Sequence, residues 1–403
     1  MDRRAFLGAA VGTGLASTRF TLATVAARVR VGIVGGGIVG AAIAMRLARA
    51  GADVTLLERT APASGATSKS FAWINPFMDD AHYMRMRLAA VDRWRRIDRP
   101  LRMGVVWGGY IGFTDQDSER GRMAVQSAHL AEAGHPTRSL DMAELKRISP
   151  SIDPGKLVEA TGSDLGGHVD PVHATRRFLV AATAAGARVF HPCPVTAIEP
   201  TASGVVAITP RGRLRFDHLI VAAGVDAPAL LAPLGYQLPL LHRPGALVHS
   251  KPMPIMTRFV YDGPGPLEWK QAADGSIVGA EASGPPPLPV HEDIRDHAMD
   301  FPPGIAQLHG SRILSKLAVY MPALARAEVG SVTLGFRPYP ADGFPVVGPV
   351  PGAPTVSLCV THSGVTLAPL LGEYMSNELL TGLHEPMLAP YRPTRSMPTH
   401  VTA

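Results

Sequence analysis

The chain has 403 residues, 39 lysines and arginines against 33 aspartates and glutamates, a formal charge of +6, and only two cysteines. That length fills roughly two or three domains with a large core, and the scattered basic excess, never interleaved with aromatics, excludes a nucleic-acid face. Cys193 and Cys359 are too few and too far apart for a disulfide framework or a cysteine metal site and are expected as buried free thiols.

In chain order, the first segment is "MDRRAFLGAAVGTGLAS", where Arg3-Arg4-Ala5-Phe6-Leu7 precedes small apolar residues and "TLATVAA". This is similar to a twin-arginine export signal, with Arg19 inside or just after the apolar stretch as a departure. Residues 1–27 are therefore expected to be a leader that carries a folded protein to the periplasm or another extracytoplasmic place. The alternative is an unstructured leader on a cytoplasmic protein. No later run of about 18 uncharged apolar residues exists, so no transmembrane segment is expected.

Val29 to Val34 is short and β-branched, as a buried parallel strand should be. Gly35, Gly37 and Gly40 then form G-x-G-x-x-G around Ile38 and Val39, a helix is expected over Ile38–Ala50, and Asp53–Leu57 reads as a second strand. The glycines serve a tight turn, close approach of backbone to a pyrophosphate, and close helix–strand packing, while the helix N-terminus faces the phosphates. Glu58, ending the second strand with Arg59 after it, suits a ribose hydroxyl pair and argues against a 2′-phosphate. The motif alone does not separate FAD from NAD. Pro62–Asn75, "PASGATSKSFAWIN", is a loop of small and hydroxyl residues with Lys69 its one cation, suited to wrapping a phosphate. In "MRLAAVDRWRRIDRP" Leu88, Val91, Trp94 and Ile97 recur at helical spacing, so the arginines are expected on the wet side of an amphipathic helix.

Further on, "FVYDGPGPLEWKQAADGSIVGAEASG" reads as two strands joined at "ADGS", and "SGPPPLPVHEDIRD" as a proline-rich surface loop serving as a lid or a partner edge. Arg337 stands almost alone among apolar, Pro- and Gly-rich neighbours in "TLGFRPYPADGFPVVGP". A planar guanidinium there pairs with a carboxylate through two parallel hydrogen bonds; the alternative is an ion pair with Asp342 or solvent.

Together with "GGHVDPVHATRRFLVAATAAGARVFHPCPVTAIEP", "FDHLIVAAGVDAPALL", "THSGVTLAPLLGEYMSNELL" and the ending "LAPYRPTR", these segments resemble the D-amino-acid oxidase superfamily of FAD enzymes over most of residues 28–393. The resemblance implies an α/β protein with two parts. One is a Rossmann-like FAD-binding domain with a parallel sheet (28–101, 165–238 and 331–403); the other is a mixed-sheet substrate domain (102–164 and 239–330). It implies non-covalent FAD, because the covalent-flavin cysteine of monomeric sarcosine oxidase has no counterpart. Gly35, Gly37 and Gly40 would face the pyrophosphate, Glu58 the ribose, and Ala66, Thr67 and Ser68 the flavin approach. Val195 would meet the adenine, Ala223 and Gly224 the dinucleotide, and Gly364, Val365, Thr366 and Leu367 the flavin edge.

Arg337, in an unaltered Gly-Phe-Arg-Pro, would grip the carboxylate of an amino acid or amine substrate. His362 and Thr366 are candidates beside the flavin, and Tyr261, Trp269 and His242 are candidate cavity residues. No general base is expected, since the amine can lose its proton before the hydride step. Sarcosine oxidase has a lysine ahead of its last helix where this chain has "HSGVTLAP", so the electron acceptor stays open between O2 and a quinone or carrier. The rival readings are a non-catalytic or electron-relaying flavoprotein subunit and an NAD enzyme.

Overall fold

The computed structural model describes residues 28–242, 244–282, 301 and 304–398. The 1–27 leader and the whole proline-rich loop 283–296 lie outside the described residues. The first strand, β1 (Arg30–Val34), is buried from Val31 onward. Gly35, at φ +111°, turns the chain into helix α1 (Ile38–Arg49), and β2 (Asp53–Leu57) returns alongside β1 in parallel. The expected helix ends one residue early, at Arg49, and the expected first strand starts at Arg30 instead of Val29.

β1 and β2 lie in a six-stranded sheet with the order Val346–Val350, Ala353–Val360, His218–Val221, β1, β2, Arg188–Phe190. All neighbours are parallel except the first pair. Registers Val34↔Leu57 and Val34↔Val221 bring Gly35, Glu58 and Ala222 side by side at the carboxyl ends of the strands. In an open α/β sheet that edge is where ligands bind. Helix α1 is mostly alanine and glycine on its packed side, and it lies on the last helix, Gly364–Thr381, so closely that a Cβ on Gly372 would stand 2.8 Å from the Ala42 carbonyl oxygen.

A second, mixed sheet has eight strands. Its order is Val329–Phe336, Pro244–Ser250, Ile277–Glu281, Leu267–Gln271, Val260–Asp262, Tyr110–Thr114, Glu159–Ser163, Arg138–Ser139. The "ADGS" hairpin forms as expected, pairing Leu267–Gln271 with Ile277–Glu281. The strand Val329–Phe336 runs past the expected domain break at residue 330 and carries the mixed sheet up to the Gly-Phe-Arg-Pro segment. One face of this sheet packs on helix Ile305–Tyr320, with Phe113, Tyr261, Trp269 and Leu317 in a shared core. The other face turns to the 62–75 loop: Leu247, Val278 and Ala280 pack against Phe71, and a Cβ on Gly335 would stand 2.8 Å from the Lys69 Cβ. Both cysteines are buried free thiols. Among the described residues no helix is long and apolar enough to cross a membrane.

Candidate active site

A cleft of about 670 Å³ opens at the carboxyl ends of the parallel strands. Of the residues singled out in the sequence, its walls hold Gly35, Gly37, Ile38, Val39, Glu58, Arg59, Ala66, Thr67, Lys69, Val195, Ala223, Gly224, His362, Gly364 and Val365. The three glycines divide their work as the spacing implies. A Cβ on Gly40 would meet the Gly35 carbonyl oxygen at 2.1 Å, and one on Gly35 would meet the Ala222 oxygen at 2.4 Å, so the fold itself requires both. A Cβ on Gly37 would meet nothing closer than Thr67 Oγ1 at 3.2 Å, which leaves that glycine free to serve a ligand.

Helix α1 has no acidic residue in its first turn and no side-chain cap from Gly37, so its positive end is left to the cleft. Thr67 Oγ1 accepts a hydrogen bond from the Ile38 amide at 3.1 Å, tying the 62–75 loop to that helix end. The Glu58 carboxylate is fixed by two backbone donors, the Gly36 amide at 2.7 Å and the Thr60 amide at 2.8 Å. Arg59 forms an ion pair with Asp226 at 3.1 Å, joining segments that follow two strands of the sheet edge. A glycine cradle, a helix N-terminus and an anchored acid at one sheet edge fit a dinucleotide.

Other expected residues stand elsewhere. Gly40 lies within α1, and Leu367 is fully buried in the core against α1. The Ser68 hydroxyl donates to the Gly65 carbonyl at 3.2 Å, and Thr366 Oγ1 donates to the Trp73 carbonyl at 2.9 Å, which places the Thr366 hydroxyl on the loop backbone instead of the cleft wall. Tyr261 and Trp269 sit in the core on the helix side of the mixed sheet, with the Tyr261 hydroxyl bonded to Ser149 at 2.7 Å and Thr257 at 2.6 Å, and neither is among the residues of the cleft wall. The His242 ring stands 5.0 Å from that of Phe336, which is on the cleft wall, and the His362 ring 4.7 Å from that of Tyr339. Cys359 also reaches the cleft wall from its strand, and burial pushes its thiol up to about 12.

Arg337 is half-buried, and its guanidinium donates to the Ala282 carbonyl at 3.3 Å. Asp342, the alternative partner considered from sequence, is held by Arg395 through two bonds of 2.7 and 3.0 Å. The helix Ala81–Leu101 keeps most of its arginines wet, but Arg87 is buried. Arg87 donates to the Asn75 carbonyl at 3.0 Å, to Asn75 Oδ1 at 2.7 Å and to Ser363 Oγ at 3.0 Å. It thus bolts the end of the 62–75 loop to the start of the last helix.

The residues that sequence reading missed lie on the loop-facing side of the mixed sheet. Strand residues alternate between faces, and since Leu267 and Trp269 face the helix, Glu268 and Lys270 face the loop. Asp262 stands directly across from Glu268. It accepts from Tyr110 at 3.3 Å and Arg122 at 3.1 Å. Burial, then the neighbouring Asp262 charge, pushes the Glu268 carboxyl up to about 7, while the Arg337, Arg87 and Arg122 guanidinium groups pull it down. Lys270 is buried with its ammonium 5.3 Å from the Phe71 ring centroid, and burial lowers it to about 7 against the pull of Asp170. The alternation "LEWKQ" is the one signal that points to this face, and it reads equally as a solvated edge.

The family described as FAD dependent oxidoreductase (DAO) matches residues 30–378. Glycine oxidase of Geobacillus kaustophilus is 26% identical, covering 86% of this chain and 91% of that protein. An opine oxidase subunit of Agrobacterium tumefaciens is 25% identical, covering 90% of this chain and 96% of that one. Among solved structures, L-proline dehydrogenase from P. horikoshii superposes with a TM-score of 0.81 at 21% identity, covering 91% of this chain and 97% of that one. The Geobacillus kaustophilus glycine oxidase structure does so with a TM-score of 0.81 at 22% identity, covering 92% and 100%. The chain therefore belongs to the DAO family of FAD-dependent oxidoreductases, enzymes that act on amino acids or amines.

Proposed function

We propose that the chain oxidises a carboxylate-bearing amine, an amino acid or a related secondary amine, at its C–N bond, giving an imine that hydrolyses. The observation that carries this reading is Arg337, half-buried at the end of the mixed-sheet strand whose Gly335 packs on Lys69, a residue of the cleft wall. FAD held in the cleft would supply the hydride acceptor, flavin N5. Around it the chain's own groups position and shield. Gly37 leaves room for the pyrophosphate at the α1 N-terminus, and Glu58 presents an anchored carboxylate to the ribose. The two-pronged guanidinium of Arg337 fixes the pose of the carboxylate as well as its charge, which sets the direction of the Cα–H bond. Cys359, held as a thiol by burial, is a poor nucleophile, and this supports non-covalent FAD.

Electrons then pass to O2 or to a quinone or carrier, and the Arg3-Arg4-Ala5-Phe6-Leu7 motif supports export to the periplasm with the cofactor already loaded. The similarity to an opine oxidase subunit favours a second reading, in which the chain is one component of a larger dehydrogenase. One experiment separates these. The purified yellow protein is mixed anaerobically with glycine, N-methylglycine, L-proline and a set of D-amino acids, and bleaching of the flavin spectrum is followed. Bleaching by at least one of these amines is expected of the isolated chain. A spectrum that dithionite bleaches and none of them does would refute amine oxidation by this chain alone.

A further inference from the structure

The loop-facing side of the mixed sheet carries a row of small residues beside Glu268. Directly across from Glu268 on the neighbouring strand is Ala280, and Ala282 follows two residues on. Gly245 and Gly335 pair beyond them, and a Cβ built on Gly245 would meet nothing closer than Arg337 Nε and the Gly335 oxygen, both at 3.9 Å. The Arg337 guanidinium reaches this row at the Ala282 carbonyl. Ala282 lies about 7 Å along the strand from Ala280, so Glu268 and the Arg337 contact at Ala282 flank one row of small residues on this face.

Among the described residues, Glu268 makes no hydrogen bond or ion pair, and it keeps accessible surface although its carboxyl is strongly desolvated. Burial disfavours the charged form of a carboxylate without a hydrogen-bond partner, and a fold retains such a group where a cation comes to it.

We propose that Glu268 is the base that takes the proton from the ammonium group of a substrate whose carboxylate Arg337 holds. The inference rests on the amine-oxidising reading above. An α-amino acid arrives as a zwitterion, and its nitrogen has no lone pair while protonated. Proton transfer converts the ammonium and the Glu268 carboxylate into a neutral amine and a carboxylic acid. The Cα–H pair then leaves as hydride to FAD, the nitrogen lone pair forms the C=N bond, and water hydrolyses the iminium. Glu268 afterwards returns its proton to water. The sequence-based expectation is that no base is needed; under this proposal Glu268 fills that role.

The charged and titratable neighbours agree. Asp262 lies across the strand, held by Tyr110 and Arg122, while Lys270 and His249 share the face. From the loop side come Lys69, Arg87, His168 and Asp170, with Arg337 at the Ala282 carbonyl. Burial and then Asp262 raise the Glu268 carboxyl while Arg337, Arg87 and Arg122 lower it, leaving it at about 7, the range in which a general base works at neutral pH.

The test is the pH profile of kcat/KM, and of the anaerobic bleaching rate, for whichever of glycine, N-methylglycine, L-proline or D-alanine reduces the wild type. The wild type is expected to show an acid limb with an apparent value near 7. In Glu268→Gln that limb should move up toward the amine's own value, with the rate at pH 7 falling about 10²-fold and largely recovering at high pH. Glu268→Asp, a carboxylate set back by one methylene, should keep the limb while losing rate, and it decides the matter if the glutamine variant does not fold. A limb that Glu268→Gln leaves in place overturns the assignment, as does a loss seen only in KM and only with substrates bearing a second positive charge. A wild type that no amine bleaches overturns the amine-oxidising reading itself, whereas a bleached wild type with an unmoved limb overturns only the role of Glu268.

Discussion

In the parallel sheet the working atoms belong mostly to the backbone. The turn at Gly35, the helix end at Ile38 and the amides that hold Glu58 are set by glycine spacing and strand register, and the side chains of Glu58 and Asp226 add to the wall. In the mixed sheet the working atoms are side-chain atoms on every second residue: Glu268, Lys270, Asp262, and Arg337 just past a strand end. Backbone work leaves a fixed spacing behind it, whereas side-chain work leaves only a residue type at a position whose face is unknown. The cofactor half is therefore rigidly encoded, and the substrate half is free to change.

That contrast is broken most severely at the glycines. Gly40→Ala puts a methyl group against the Gly35 carbonyl oxygen, backbone on backbone, and is expected to prevent folding or to cost more than about 3 kcal/mol. Gly37→Ala should fold with a near-normal melting temperature and bind FAD more weakly, on the order of tenfold, because its new methyl group faces the ligand. Circular dichroism together with the flavin-to-protein absorbance ratio checks both. Equal effects on folding from the two variants would contradict the division of labour between them.

On the other side of the comparison, Arg337→Ala should leave the yellow spectrum intact and lower kcat/KM for carboxylate-bearing amines by on the order of 10²-fold or more. Arg337→Lys keeps the charge but loses the fork, so it should recover only part of the rate. Steady-state kinetics with the amine that bleaches the flavin measures both. An unchanged rate in Arg337→Ala would remove the carboxylate clamp.

Much of the cofactor half is legible in the amino-acid order alone. Gly35 and Gly37 of the motif, Glu58 and the loop residues Ala66, Thr67 and Lys69 all come to one cleft, because strand–turn–helix geometry ties residue spacing to position in space. Thr366 departs from its expected place for a reason no spacing reveals: its hydroxyl satisfies the Trp73 carbonyl. Size makes Tyr261 and Trp269 look like cavity residues, yet parity puts both on the helix face with Phe113 and Leu317. Arg87 reads as one more solvated arginine of an amphipathic helix, and only the fold shows Asn75 and Ser363 waiting for it. A charged strand face reads as solvent-exposed until a second domain is seen to cover it.

The smallest effect sharpens the comparison through stability. Lys270 is 4% exposed, and its folded value of about 7 lies well below that of an unfolded lysine, about 10.4. Between those values the unfolded chain binds the extra proton, so this residue's penalty is full below pH 7 and fades as pH rises toward 10.4. Lys270→Met is therefore expected to raise the melting temperature by a few degrees at pH 6, from a gain on the order of 1–4 kcal/mol, and to change it little near pH 10.5. Glu268 has the opposite sign: its folded value is raised, so its penalty is absent below about 4.5 and full above 7. Glu268→Gln should then stabilise at pH 8 and not at pH 4. Two residues on one strand face whose replacements stabilise in opposite pH windows would mean that this surface is kept charged against the interest of the fold, as a catalytic surface is. Melting curves of the two variants that shift equally at every pH would instead place both side chains in water and return the mixed sheet to a packing role.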